Sequence, residues 1–219
     1  MNENKRMIQD AGIRFFGSIT ASISHEVKNI LAIINENAGL LEDLLLMHEK
    51  GGNLDTERIK NLADKIRGQV KRGDGIIKNM NRFAHSVDHL TEQVDLNELL
   101  ALMVVLVQRM AFMKGVSIEP RSHLERIIIT TNAFLLENLI WECLDFILNS
   151  EPCPGKITVV PNILNNGARV CFSGLTKGGQ LNIDEFRNRI RGNFLDALQC
   201  DLYVDEESGD IVVDLPKSI

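Results

Sequence analysis

The stretch Ser22-Ile23-Ser24-His25-Glu26-Val27-Lys28-Asn29 sets an imidazole beside a carboxylate, with an amide one helical turn further on. Each group has its own capacity. A neutral imidazole nitrogen is a nucleophile, and a carboxylate bonded to the other ring nitrogen fixes the tautomer and can take up its proton. An amide orients a water or a phosphoryl oxygen without adding charge. Ser18, Ser22, His25, Asn29 and Glu36 follow one another at steps of three, four or seven, which places them on one helix face. That face is expected to be turned to solvent, leaving the His25 ring accessible. The chemistry this set suits is phosphoryl transfer at His25. A surface histidine on a helix is usually only solvated surface, so the meaning of His25 rests on the elements around it.

Those elements begin with a long helix. From about residue 8 to 48 there is no proline, and apolar residues fall at Phe16, Ile23 and Ile30, with Val27, Ile34 and Leu41 between them. This is a seven-residue repeat, the seam of a coiled coil or helical bundle. Lys50-Gly51-Gly52-Asn53-Leu54 breaks it, and Asp55 or Thr56 can cap a second helix. Ile59, Ile66, Met80 and Val87 repeat at sevens there, with Leu62, Val70, Ile77 and Phe83 or Ala84 between them. Gly73 and Gly75 weaken this helix without changing its phase. Two such helices form a hairpin with one apolar face, which a second copy would cover, so a homodimeric four-helix bundle is expected.

The pattern changes near Val94. Asp95 can cap a third helix over 96–114, closed by Gly115. Short strand-like stretches follow at 116–119, 126–130, 156–160, 168–172 and 211–215, interleaved with helical patterns at 134–148 and 184–198. The fold class is therefore α+β: an N-terminal helical hairpin over 1–92, then an α/β sandwich over 93–219, with helices on one face of a mixed sheet.

Composition narrows the function. The 219 residues carry a net charge of −6, which argues against nucleic acid as the main partner. The cysteines at 143, 153, 171 and 200 show no CxxC spacing and read as reduced thiols. The N-terminus has no apolar signal region, and the apolar run over 101–107, with Leu99 and Leu100 before it, is short of a membrane span. A cytoplasmic protein that contacts no membrane is expected. His85 and His89 stand four apart, as zinc ligands can, but no third ligand accompanies them.

Taken together, Ser24-His25-Glu26-Val27-Lys28-Asn29 resembles the H-box of the dimerisation and phosphotransfer domain of sensor histidine kinases. Gln93-Val94-Asp95-Leu96-Asn97-Glu98-Leu99-Leu100 is similar to the junction where that family's ATP-binding domain begins. The resemblance implies that His25 is the phosphoacceptor, that Glu26 assists proton removal, and that Asn29 stands where the family helps hydrolyse a partner's phosphoaspartate. It also implies a docking surface for a receiver domain below His25, with Ser22, Ala32, Asn35, Glu36 and Gly39 on the first helix and Lys71, Lys78 and Arg82 on the second.

The resemblance fails where ATP would bind. Trp141 and Asp145 stand where the family places Mg²⁺-holding asparagines, and an indole cannot ligate a metal. The adenine-reading D-x-G-x-G is replaced by Ser173-Gly174-Leu175-Thr176-Lys177-Gly178-Gly179, and Asp184–Leu198 replaces a second glycine-rich loop. Gly73-Asp74-Gly75, the one G-x-G, lies in a helix without a preceding strand. The expectation is a histidine phosphotransferase of the degenerate-kinase type. It would act in bacterial two-component or phosphorelay signalling without binding a cofactor. Its partners would be the receiver domains of response regulators or hybrid kinases, which bring their own Mg²⁺. The alternatives are a response-regulator phosphatase, an atypical sensor histidine kinase, and a non-enzymatic dimeric scaffold or inhibitor.

Overall fold

The structure, a computed structural model, describes residues 3–174 and 182–219. Helix α1 runs from Glu3 to Glu49 without interruption, about 70 Å of helix. It stops because Gly51 takes φ +92°, a conformation that costs glycine little, so that Gly51 N–H reaches His48 O and Gly52 N–H reaches Met47 O. Asp55 is the residue that caps α2 (Thr56–His85): its Oδ1 accepts from Arg58 N–H at 3.0 Å. Gly73 and Gly75 lie within α2 and leave it unbroken.

The chain forms two compact units, a hairpin unit of Thr20–Arg82 and a sheet unit that joins α1 up to Ile19 with Phe83–Ile219. The turns of α1 before Thr20, which the periodicity gives to the hairpin, thus group with the sheet unit. The reason is aromatic. Phe15 is fully buried, with its ring 5.1 Å from Phe83, 6.0 Å from Phe134 and 5.5 Å from Trp141. Gly12 permits the approach, since a Cβ there would sit 3.1 Å from the Phe134 ring.

Within the hairpin unit Ile23, Ile30 and Leu62 are buried, while Val27, Ile34, Leu41, Ile59 and Ile66 are half-buried. Two helices can bury only a narrow stripe on each other. Val70 and Ile77 of the expected seam are 56% and 45% exposed, as are Leu45 and Leu46 at 51% each.

In the sheet unit, among the described residues, β2 (Ser117–Pro120), β4 (Lys156–Leu164), β5 (Gly167–Ser173), β7 (Ile211–Pro216) and β6 (Asp201–Val204) lie side by side in that order. β2 and β4 are parallel and the other pairs antiparallel. Alternation along the strands builds the inner face: Val159 pairs with Phe172 and Phe172 with Ile211, while Pro161, Val170, Val213 and Leu202 form the next row. β1 (Glu92–Asp95) and β3 (Ile128–Thr131) make a separate antiparallel ribbon. Helix α3 (Leu96–Met113) is capped by Asp95, whose Oδ1 accepts from Asn97 N–H at 3.0 Å, and it packs on β2 and β4. It is apolar and long enough to cross a membrane by composition, yet half of it is buried in this core. Asn132 caps α4 (Ala133–Leu148), which packs beside α3.

Two expectations are corrected. β1 and β6 were not expected; each has four residues and one buried side chain, Val94 and Leu202, too short a run to show alternation. The single helix expected over 184–198 is instead α5 (Ile183–Ile190), a π-helical turn over Arg191–Leu195, and α6 (Asp196–Leu198). A π turn inserts one residue and shifts the helical phase, which brings Phe194, Leu195 and Leu198 into the core together.

Candidate active site

His25 and Asn29 stand on the exposed side of α1, one turn apart, with no glycine or proline near enough to disturb the helix. Glu36 lies on the same exposed face. The polar stripe does not hold over its full length, however. Ser22 is only 8% exposed, and Ser18 is half-buried with its Oγ donating to Met110 Sδ at 3.4 Å. At about 100° per residue, Ser22 lies roughly 60° around the helix from His25, toward buried Ile19 and Ile23. Ser22 is therefore not part of an open surface, which corrects its expected place there.

Glu26 also departs from expectation. Its Oε1 accepts from Arg72 Nη2 on α2 at 2.7 Å, where the sequence turned the carboxylate to the His25 ring. The side chains are 30% and 55% exposed, so the pair is solvated but spans the two helices. Beside Arg72 the two helices meet at an ordinary separation: a Cβ at 73 would lie 3.7 Å from Ile30 Cγ2, so the contact does not depend on glycine. Arg72 is the residue the sequence reading missed. No local pattern signals it, because Arg72 and Glu26 stand 46 residues apart on different helices.

Ala32 and Asn35 are exposed and Gly39 half-exposed on α1. On α2, Lys71, Lys78 and Arg82 are exposed. Lys78 Nζ pairs with Asp74 at 2.7 Å, and that hydrogen bond raises its pKa. Since the pair is i,i+4 on one helix and solvated, it is a local support for α2.

In the sheet unit, Trp141, Glu142 and Asp145 of α4 line a cavity of about 150 Å³ together with Ala11, Arg14, Arg189, Ile190 and Phe194. Glu142 Oε2 accepts from Arg189 Nη2 at 3.2 Å. Burial pushes the Glu142 carboxyl above its ordinary pKa, with Arg189 opposing. Asp145 Oδ1 accepts from Asn149 Nδ2 at 3.0 Å. At that volume the cavity is smaller than the roughly 300–1,000 Å³ of pockets for small organic ligands. The Trp141 ring is packed on Phe15, and the carboxylates already have partners. Of the segment expected to replace the adenine-reading loop, Leu175–Gly179 lies outside the described residues.

At the end of α2, His85 Nδ1 is bonded to Asp88 Oδ2 at 2.7 Å, and among the described residues no group of three or more His, Cys, Asp or Glu is placed to hold a metal.

No family model matches the chain, and no curated protein matches it. Solved structures similar to it include the catalytic domain of histidine kinase ThkA, at 16% identity and TM-score 0.45 over 59% of this chain and 99% of that one. The Acinetobacter baumannii histidine kinase AdeS matches at 11% identity and TM-score 0.44 over 83% of this chain and 95% of that one. A bacterial phosphotransferase matches at 12% identity and TM-score 0.44 over 94% of this chain and 95% of that one.

Proposed function

We propose that this chain is a histidine phosphotransferase of two-component signalling, which exchanges a phosphoryl group between His25 and the aspartate of a receiver domain. The observation that carries the reading is the exposed His25 ring on an unbroken helix, with Asn29 one turn away. In the forward step a lone pair on a His25 ring nitrogen attacks the phosphorus of a phosphoaspartate in line. The bond from phosphorus to the carboxyl oxygen breaks, and its electron pair stays with the aspartate. The ring then loses the proton on its other nitrogen to Glu26 or to water. Mg²⁺ on the receiver supplies charge stabilisation for this step, and the hairpin supplies position.

The exposed faces of Ala32, Asn35, Glu36 and Gly39 and of Lys71 and Arg82 form the proposed receiver contact. The exposed apolar residues Leu45, Leu46, Val70 and Ile77 support pairing with a second copy into a four-helix bundle. The small cavity at Trp141, with the Trp141 ring against Phe15, supports a phosphoryl source other than ATP bound to this chain. The test is to mix the protein with a panel of phosphorylated receiver domains. Label should move to the wild-type chain and not to His25→Ala, whose binding to the receiver persists.

A second reading has its own support. Asn29 is exposed and one turn from His25, where its amide can orient a water onto a phosphoaspartate. Release of free phosphate from the receiver without any label on His25, abolished by Asn29→Ala, would favour that phosphatase.

A further inference from the structure

We propose that Arg72 is a positioning residue for the phosphoryl reaction at His25, acting through Glu26; this rests on the phosphotransferase reading above. Three observations lead to it. Glu26 is the neighbour of His25 in the chain, and its Oε1 is held by Arg72 Nη2 at 2.7 Å from a helix 46 residues away. A Cβ built on Gly73 would lie 3.7 Å from Ile30 Cγ2, so α1 and α2 run beside each other at the pair. The Arg72 side chain is 55% exposed, which leaves further guanidinium donors facing solvent.

The physical case concerns charge and orientation. A phosphoryl group arrives as an anion, and an unpaired carboxylate beside the attacking ring would repel it at short range. Arg72 neutralises Glu26 without removing it. A free glutamate side chain also samples several rotamers, and one strong charge-assisted bond restricts them. Glu26 held in this way has Oε2 left to receive the ring proton. Lysine could keep the charge at 72 but not the planar fork, so an Arg-to-Lys change tests orientation separately from charge.

Phosphoramidate is a suitable probe because it is small and needs no protein docking surface. The His25 lone pair attacks its phosphorus, the phosphorus–nitrogen bond breaks, and the electron pair leaves with the amide nitrogen. That nitrogen, protonated by water before the bond breaks, departs as ammonia, while the ring's second N–H proton passes to Glu26. Initial rates of phosphohistidine formation, followed by ³¹P NMR over a range of phosphoramidate concentrations, are compared for wild type, Arg72→Ala, Arg72→Lys, Glu26→Gln and the double variant Glu26→Gln/Arg72→Ala. Melting curves run alongside.

The expected result is a fall of about tenfold or more in the saturating rate for Arg72→Ala, with partial recovery in Arg72→Lys. Because Arg72 acts through Glu26, the double variant should be no slower than Glu26→Gln alone. Losses that simply multiply in the double variant, or an Arg72→Ala rate equal to wild type, overturn the proposal and leave the phosphotransferase reading standing. A fall that follows lost melting temperature in both Arg72→Ala and Arg72→Lys also overturns it. Wild-type protein that forms no phosphohistidine at residue 25 removes both.

Discussion

At the scale of single residues, what matters is which groups are committed and which are free to act. His25 and Asn29 are exposed, Glu26 is bonded to Arg72, and Glu142 is bonded to Arg189. Glu142 gives a test in pH. Burial raises its folded pKa above that of the unfolded chain, so the folded state holds the proton more tightly. Stability therefore falls as pH rises from the ordinary carboxylate range through the raised value, and stays lower above it. Glu142→Gln should melt higher than wild type at pH 7, and the gap should close as pH approaches the ordinary carboxylate range; thermal melts across pH check this. The sequence made His25, Glu26 and Asn29 legible through their types and spacing. It could not show Ser22 turned inward or Glu26 bonded to Arg72. Both depend on the angle at which helices meet, which a one-dimensional pattern does not record.

At the scale of elements, the opening turns of α1 are part of the sheet unit's core. Phe15 is fully buried among Phe83, Phe134 and Trp141, so Phe15→Ala should cost ~3–5 kcal/mol. At this chain length that lowers the melting temperature by roughly 6–20 °C, read by calorimetry. The cap on α3 is a smaller item: Asp95 accepts from Asn97 N–H and pairs with Arg126 at 2.8 Å, so Asp95→Ala should cost about 1–2 kcal/mol in a urea titration. The long helices, the caps at Asp55 and Asp95, and the alternation in β4, β5 and β7 were readable because each is a local pattern. The aromatic cluster was not, because its members come from α1, α2 and α4 and only the fold brings them together. The π turn at Arg191–Leu195 left no mark, since its apolar residues also suit a plain helix.

At the scale of the whole molecule, a hairpin that presents His25 to solvent is joined to an α/β unit whose cavity at Trp141 is only about 150 Å³. The apolar residues left open on the hairpin, Leu45, Leu46, Val70 and Ile77, set a prediction about assembly. Light scattering coupled to size exclusion should give twice the chain mass for wild type, and Val70→Glu/Ile77→Glu should move it to the monomer with its helical signal retained. A monomeric wild type at micromolar concentration would contradict the paired bundle. The central claim is that His25 carries the phosphoryl group. Its most direct measurement is to mix the protein with a ³²P-labelled receiver domain and locate the label by peptide mapping. The account predicts acid-labile, base-stable phosphate on the peptide containing His25, lost in His25→Ala. Label that stays on the receiver or leaves as free phosphate, with none on that peptide across the receiver panel, would contradict it.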